Sequence, residues 1–227
     1  DFWSYNKQEP EYPSSVKRDL YAEDYEEIGL NYNREVLDST EKLFEKGFRP
    51  ENGKLLLWHG VPGTGKTYFI RALCQAWKEW CDYCYIVDSE KFFADAAYMN
   101  AAMLNSRDPD RWNLLIIEDA SELISTSANK QSGQGLSRLL NITEGMIGQG
   151  LNLMVMITTN EDIGELHPAV SRPGRCLNST EFKALSSKEA NKVLRKIGSS
   201  AKAEKGEELT LAETYSLHVE HENNRDD

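Results

Sequence analysis

The chain has 227 residues, a length that allows one large domain or one domain with a small appendage. Hydrophobic residues make up 40% and charged residues 28%, which is typical of a globular protein and excludes a wholly disordered chain. The formal net charge of -11 disfavours wrapping along a nucleic-acid duplex, because phosphates repel a negative surface.

Apolar runs and cysteines indicate whether the protein spans a membrane and whether it contains disulfides. No apolar run approaches the roughly 18 residues that a membrane-spanning helix needs, so we predict no membrane span. Four scattered cysteines are too few for a disulfide framework and predict a cytoplasmic location. Cys81 and Cys84 have C-x-x-C spacing without a second pair or a histidine at metal spacing, so we interpret them as structural thiols rather than as a zinc or redox site.

Hydrophobic periodicity predicts alternating elements after an acidic, aromatic arm at residues 1–25. That arm is either a strap that binds a partner or packs an oligomer, or a cover for its own domain. Helices are predicted over residues 33–46, 66–80, 89–104, 135–147, 186–197 and 210–219, and strands over residues 54–59, 83–87, 113–117, 151–158 and 179–182. Ser186 and Glu189 form a capping box at the start of the fifth helix.

The alternation of strands and helices predicts an α/β fold with a five-stranded parallel sheet flanked by helices. Two of the strands are uninterrupted apolar runs, as expected for strands buried on both faces. We therefore expect an N-terminal arm at residues 1–25, a nucleotide-binding α/β domain at residues 26–182, and a short helical lid with a frayed tail at residues 183–227.

The most specific motif lies between the first predicted strand of the sheet and the helix that follows. It satisfies G-x-x-x-x-G-K-[ST] with Gly60, Val61, Pro62, Gly63, Thr64, Gly65, Lys66 and Thr67. Glycines let the backbone wrap around phosphate, and the helix dipole favours the same anion. We expect Lys66 to bind the terminal phosphates and the Thr67 hydroxyl to ligate Mg²⁺. An ordinary glycine-rich turn is the structural alternative.

Two carboxylates, Glu118 and Asp119, follow the apolar strand at residues 113–117. Open α/β sheets hold their ligands at the carboxyl ends of strands. One carboxylate can hold Mg²⁺ while the other polarises an attacking water. Acid pairs also cap strands at protein surfaces, so the assignment depends on the neighbouring loop motif.

Over residues 25–194 the chain resembles the AAA+ ATPases, and within them the classical AAA group. The resemblance includes the phosphate loop, the Gly-Phe-Arg-Pro segment at residues 47–50 and the acid pair. It also includes the Ile-Thr-Thr-Asn segment at residues 157–160 and the Pro-Ala-Val-Ser-Arg-Pro-Gly-Arg segment at residues 168–175. The order Glu118 then Asp119 resembles the branch that contains the mitochondrial respiratory-complex assembly translocases.

The resemblance implies roles for further residues. Ile28 and Gly29 lie in a segment similar to one that contacts adenine, and Tyr68 follows the loop motif as a further nucleotide-binding residue. Asn160 matches the polar residue called sensor 1, which orients water; strand-end capping is the structural alternative. Arg172 and Arg175 match the arginine-finger segment, which implies a ring, most often a hexamer, with an active site shared between subunits. Exposed arginines are otherwise ordinary surface residues.

Three features depart from the family pattern. Asp119 is shorter than the glutamate that usually occupies the water-activating position, so turnover can be modest. Phe92, Phe93 and Tyr98 lie where translocating members carry an aromatic pore loop, but their helical spacing is also typical of core residues. About 45 residues follow the last predicted strand, which is short for a four-helix lid.

These features together predict an ATPase that uses Mg²⁺, forms rings and couples hydrolysis to remodelling of an unidentified protein partner. One alternative is a nucleotide-dependent switch or scaffold that binds ATP tightly and scarcely hydrolyses it. A DNA-directed motor is disfavoured by the negative charge and by the lack of a basic patch.

Overall fold

A seven-stranded, mostly parallel sheet flanked by helices forms the centre of the protein. The structure is a computed structural model that describes residues 1–6, 12–51, 53–104, 108, 110–121, 130–145, 150, 152–161 and 174–223. The sheet strands are β1 (Phe2–Asn6), β2 (Tyr12–Val16), β3 (Leu55–His59), β4 (Cys81–Ile86), β5 (Trp112–Ile117), β6 (Leu153–Thr159) and β7 (Cys176–Glu181). Their order across the sheet is β2-β1-β4-β5-β6-β3-β7.

The five predicted strands are all present as β3 to β7. The pairs β4–β5, β5–β6 and β3–β6 are parallel, as the alternation of strands and helices predicts. Leu57 of β3 and Ile117 of β5 both lie opposite Ile157 of β6. The strand β6 therefore lies between β3, which leads into the loop motif, and β5, which leads into the acid pair.

The prediction of five strands was too low because the N-terminal arm contributes two more. The strand β1 is parallel to β4, with Phe2 and Trp3 opposite Tyr85 and Ile86, and β2 pairs with β1 antiparallel. Trp3 is buried at 6% exposure, and its carbonyl oxygen accepts a hydrogen bond from the Tyr98 hydroxyl at 2.9 Å. The described residues 1–6 and 12–16 of the arm thus cover their own domain.

Most helices lie near their predicted positions. The helices are α1 (Tyr25–Ile28), α2 (Arg34–Thr40), α3 (Lys66–Trp77), α4 (Ser89–Ala94), α5 (Ala96–Met103), α6 (Lys130–Glu144), α7 (Ser187–Lys196) and α8 (Leu211–Asn223). The short α1 was not predicted, and the helix predicted over residues 33–46 ends at Thr40 and continues as a 3₁₀ turn over Glu41–Phe44. The predicted single helix at residues 89–104 is wrong because Asp95 is extended and its carboxylate caps α5, accepting from the backbone N–H groups of Ala97 and Tyr98.

The predicted capping box of α7 is confirmed. The Glu189 carboxylate accepts hydrogen bonds from the Ser186 backbone N–H at 2.9 Å and from the Ser186 hydroxyl at 2.6 Å. Ser186 lies in the two-residue strand β8 (Leu185–Ser186), which pairs with β9 (Glu208–Leu209). Among the described residues, no helix has both the length and the apolar composition that crossing a bilayer requires.

Contacts divide the chain into two compact units. Unit 1 comprises Asp1–Tyr21, Arg49–His59 and Trp77–Ser179, and unit 2 comprises Ala22–Phe48, Gly60–Ala76 and Thr180–Asp227. The core of unit 1 contains apolar side chains of the sheet together with Phe92, Phe93, Tyr98 and Leu136. In this core Gly135 of α6 contacts α4 so closely that a Cβ there would lie 2.3 Å from the Phe93 carbonyl oxygen.

Unit 2 has a core of its own, built around Phe69 of α3. The ring of Phe69 meets those of Tyr32, Phe44 and Phe182 edge to face, with ring centroids 4.7, 5.4 and 5.5 Å away. Edge-to-face pairs of this kind add a little to the stabilisation that burial gives. The cluster therefore includes Tyr32 and Phe44, which precede the loop motif in the chain.

Candidate nucleotide-binding site

The loop motif at residues 60–67 has the backbone that its glycines predict. Gly60, Gly63 and Gly65 have φ angles of 133°, 80° and 91°, in the region that side chains other than hydrogen rarely allow. A Cβ at Gly60 would lie 2.1 Å from the Phe182 carbonyl oxygen, so no larger residue fits there. The loop follows β3 and leads directly into α3, which begins at Lys66.

The lysine of the motif is held over its own loop. The Lys66 Nζ donates hydrogen bonds to the carbonyl oxygens of Gly60 and Val61. Thr67 is exposed beside it in the first turn of α3. Backbone N–H groups in the first turn of a helix have no intrahelical acceptor, and the helix dipole is positive there.

These residues fit a bound phosphate group and its metal ion. A narrow glycine loop, a lysine folded across it and a helix N-terminus together supply donors and positive charge to an anion. Lys66 is the residue that would hold phosphate oxygens, and Thr67 is the hydroxyl that would ligate Mg²⁺.

Two contacts to the loop lie outside every motif that the sequence offered. The Ala212 backbone N–H at the start of α8 donates to the Gly63 carbonyl oxygen at 3.0 Å. The Tyr32 hydroxyl donates to the Gly65 carbonyl oxygen at 3.0 Å. Both partners are distant in sequence from the loop, so only the tertiary structure identifies them.

The predicted adenine-contacting pair ends the first helix. Ile28 is the last residue of α1 and is fully buried, and Gly29 begins a single turn of 3₁₀-helix. A Cβ added at Gly29 would meet no heavy atom within 4 Å among the described residues. Tyr68, next to Thr67, is half-buried in α3.

The acid pair follows β5, and one of its members has an unusual backbone. Asp119 has a φ angle of 54°, and its N–H donates to the Thr158 hydroxyl at 3.0 Å. The Asn160 side-chain amide donates to the Asp119 carboxylate at 2.8 Å. The structure therefore brings together Asp119 and Asn160, which the sequence predicts as separate members of one catalytic site.

Further hydrogen bonds fix the carboxyl end of β6. The Ser121 hydroxyl lies 3.0 Å from the Thr159 hydroxyl and accepts from the Asn160 backbone N–H at 2.9 Å. These contacts hold the segment after β5 against the end of β6. The position of the Asn160 amide is consequently set by several hydrogen bonds rather than by one.

Glu118 has a neighbour on the adjacent strand. Burial, followed by the negative charge and the side chain of the nearby Glu118, raises the pKa of Tyr85 to about 12. Tyr85 lies opposite Ile116 in the parallel register of β4 and β5. No sequence motif includes this tyrosine, because its place beside Glu118 depends on the strand register.

The structure describes only one of the two predicted arginine-finger residues. Arg172 lies outside the described residues. Arg175 is only 5% exposed, and its guanidinium donates to the Asn141 side-chain oxygen of α6 at 3.3 Å. Its carbonyl oxygen also accepts from the backbone N–H groups of Lys54 and Leu55. Arg175 thus contacts the core of its own unit.

The remaining candidates are structural. Phe92, Phe93 and Tyr98 are buried in the core of unit 1, which confirms the core alternative over a pore loop. Cys81 and Cys84 form no disulfide bond and are buried, and burial raises the pKa of Cys84 to about 12. Across the described part of the chain, no group of three or more His, Cys, Asp or Glu residues could hold a metal ion.

A comparison with known protein families decides the family. The model of the AAA family, the ATPase family associated with various cellular activities, matches residues 56–184, more than half of the chain. The chain belongs to the AAA ATPase family. The matched range contains the phosphate loop, the acid pair and Asn160, so the loop geometry is that of a nucleotide-binding family.

Relatives among characterised proteins agree with this assignment. The chain is 28% identical over 180 residues to 26S proteasome regulatory subunit S10B homolog B of Arabidopsis thaliana, an alignment that spans 75% of this chain and 43% of the relative. It is 31% identical over 156 residues to the probable 26S proteasome regulatory subunit 10B of Caenorhabditis elegans, over 63% of this chain and 37% of the relative.

A third relative is similar to this chain to a comparable degree. The chain is 30% identical over 169 residues to the proteasome-activating nucleotidase of Methanothermobacter thermautotrophicus, over 66% of this chain and 40% of the relative. The chain therefore spans less than half the length of these AAA relatives. They give no support to the narrower resemblance to the respiratory-complex assembly branch that the acid order suggested.

Proposed function

We propose that this AAA chain binds and hydrolyses ATP with Mg²⁺ and couples hydrolysis to the remodelling of a protein partner. The observation that carries the proposal is the phosphate loop, with its three left-handed glycines and with Lys66 folded across the helix N-terminus. The relatives named as proteasome subunits or as a proteasome-activating nucleotidase support a protein client rather than a nucleic acid.

Each part of the site then has a distinct task. Lys66 and the backbone N–H groups of the loop bind the phosphates, and Ile28, Gly29 and Tyr68 belong to the nucleotide site. Thr67 and Glu118 are the residues that would hold Mg²⁺, which would neutralise charge on the phosphates. Asp119 accepts a proton from the attacking water, and Asn160 orients the Asp119 carboxylate through the observed hydrogen bond.

The arginines extend the proposal to an assembly. We propose that the subunits assemble into a ring, most often a hexamer. In this ring Arg172 of one subunit stabilises the negative charge that develops on the phosphate bound by the neighbouring subunit. Arg175 positions the same segment, because its guanidinium contacts Asn141 within its own chain. Residues 183–227 act as a small lid, with the start of α8 hydrogen-bonded to the loop at Gly63. We propose that ATP hydrolysis and remodelling take place in the cytoplasm.

The first test is nucleotide binding by Lys66→Ala. Because the loop loses its only side-chain cation, we expect the affinity for Mg-ATP to fall by at least about a hundredfold in titration calorimetry. Lys188→Ala, which removes an exposed lysine of α7 outside the loop, is the matched control and should bind as the unaltered chain does. Equal binding by the two variants would refute a phosphate-binding role for the loop.

A second candidate function is a nucleotide-dependent switch or scaffold that scarcely hydrolyses ATP. One observation favours it: the carboxylate of the short Asp119 is already engaged by the Asn160 amide. Steady-state phosphate release, compared with the nucleotide that remains bound after purification, separates the candidates. Tightly retained ATP with negligible phosphate release would favour the switch.

A further inference from the structure

Tyr32 is buried beside the phosphate loop and belongs to none of the motifs. Its side chain is 6% exposed, and its hydroxyl donates to the Gly65 carbonyl oxygen at 3.0 Å. The same carbonyl oxygen accepts the backbone N–H of Phe69 at 3.0 Å, which is the first hydrogen bond of α3. The Gly65 carbonyl is therefore fixed from two directions.

Fixing this carbonyl also fixes the next N–H group. A trans peptide is planar, so the Gly65 carbonyl and the Lys66 N–H point in opposite directions within one rigid plane. Lys66 is the first residue of α3, and the backbone N–H groups in the first turn of a helix point outward from its N-terminus. Rotation of this one peptide would turn a donor away from an anion bound at the helix N-terminus.

The ring of Tyr32 is itself held in place. It meets Phe69 edge to face at a centroid distance of 4.7 Å and Phe182 edge to face at 5.9 Å. A Cβ on Gly65 would lie 3.0 Å from the Tyr32 hydroxyl, so a glycine at that position permits the approach. The two phenylalanines therefore determine where the hydroxyl lies.

The hydroxyl is also a permanent donor. Burial raises the pKa of Tyr32 well above its ordinary value, and the nearby Tyr68, Tyr215 and Glu23 act in the same direction. The phenol consequently keeps its proton throughout the physiological pH range, and the hydrogen bond to Gly65 persists.

We propose that Tyr32 is a positioning residue of the phosphate loop, whose hydroxyl holds the Gly65–Lys66 peptide so that the Lys66 N–H faces a bound phosphate. The inference rests on the proposed ATP-binding function and adds to it a residue outside the loop. Phenylalanine would keep every ring contact, so the proposal concerns the hydroxyl alone and not the packing of the ring.

The test compares Tyr32→Phe with Tyr98→Phe in the 227-residue chain. Tyr98 is the matched control because its buried hydroxyl also donates to a backbone carbonyl, that of Trp3 at 2.9 Å, but lies in the core of unit 1. Both variants lose one buried hydrogen bond and should lose similar thermal stability. Only Tyr32→Phe should bind nucleotide more weakly.

The expected loss is roughly three- to tenfold in affinity, the range that one hydrogen bond gives. It should be equal for Mg-ATP, Mg-ADP and inorganic tripolyphosphate in titration calorimetry, because the loop contacts phosphates only. In steady-state kinetics KM for ATP should rise by the same factor while kcat stays unchanged.

Three results would overturn the proposal. They are an affinity of Tyr32→Phe equal to that of the unaltered chain, an equal loss in Tyr98→Phe, and a loss confined to ATP and ADP with tripolyphosphate unaffected. In each case the unaltered chain still binds ATP and the proposed function stands. Failure of the unaltered chain to bind any of the three ligands would overturn both.

Discussion

Asp119 combines a catalytic prediction with a backbone that few residues adopt. Its φ angle of 54° lies in the left-handed region, where aspartate and asparagine are enriched among residues other than glycine. Two side chains at the end of β6 contact Asp119, namely the Thr158 hydroxyl and the Asn160 amide. Such conformations gather at functional sites, where surrounding structure enforces them.

We therefore predict that Asp119→Asn separates binding from hydrolysis. Asparagine has the same shape and tolerates the same backbone, so folding and ATP affinity should be unchanged, while turnover should fall by about a hundredfold because no base accepts the proton. Steady-state phosphate release measures the effect. Asp82→Asn, which removes an exposed carboxylate paired with Arg111, is the control, and a fully active Asp119→Asn would exclude the general-base role.

Arg175 gives a prediction of stability rather than of catalysis. Arg175→Ala removes a buried guanidinium from the Asn141 side chain, so the free energy of unfolding should fall by about 1–3 kcal/mol. Arg172→Ala, expected from the sequence to act on a neighbouring subunit, should leave unfolding unchanged and lower turnover. Chemical denaturation of both variants checks this, and an undiminished stability of Arg175→Ala would contradict it.

At the residue scale, sequence and structure agree where a motif is local. The phosphate loop could be predicted because its glycines and lysine are contiguous and enforce one backbone. Tyr32 and Tyr85 could not, because their roles depend on contacts with residues more than 30 positions away. Arg175 was expected to be an arginine finger, with an ordinary surface residue as the alternative, and its burial could not be predicted because the sequence does not show what surrounds an isolated arginine.

At the scale of elements, the N-terminal hairpin is the main departure from the sequence prediction. The strands β3 to β7 could be predicted because short, largely apolar segments alternate with helices, whereas β1 and β2 mix polar and aromatic residues and precede that alternation. Pairing of β1 with β4 and burial of Trp3 stabilise a segment whose local signal is weak. The break at Asp95 was missed because apolar periodicity continued across a capping residue.

We predict that Trp3→Ala is strongly destabilising although it lies in a terminal strand. The indole is buried against the core of unit 1, and its removal should lower the free energy of unfolding by about 3–5 kcal/mol. Tyr21→Ala, at 80% exposure in the same arm, should change it by less than about 0.5 kcal/mol. Urea denaturation compares them, and equal midpoints would show that the hairpin contributes nothing to stability.

At the scale of the whole molecule, the ring proposal makes turnover depend on protein concentration. If a neighbour's arginine completes each site, phosphate release per chain should rise as subunits assemble and level off when assembly is complete. Mass measurement of Asp119→Asn with and without ATP reports the assembly over the same range. Turnover per chain that stays constant from monomer to assembly would contradict a shared site.

The burial of the cysteine thiols has a practical consequence for labelling the protein with dyes. Alkylating dyes react with the thiolate, and burial raises the pKa of both Cys84 and Cys176, while Cys81 is enclosed. Three of the four cysteine thiols are thus slow targets for maleimides at neutral pH. A chain in which Cys74 alone is replaced by serine would accept a fluorophore at a newly introduced cysteine with little background labelling.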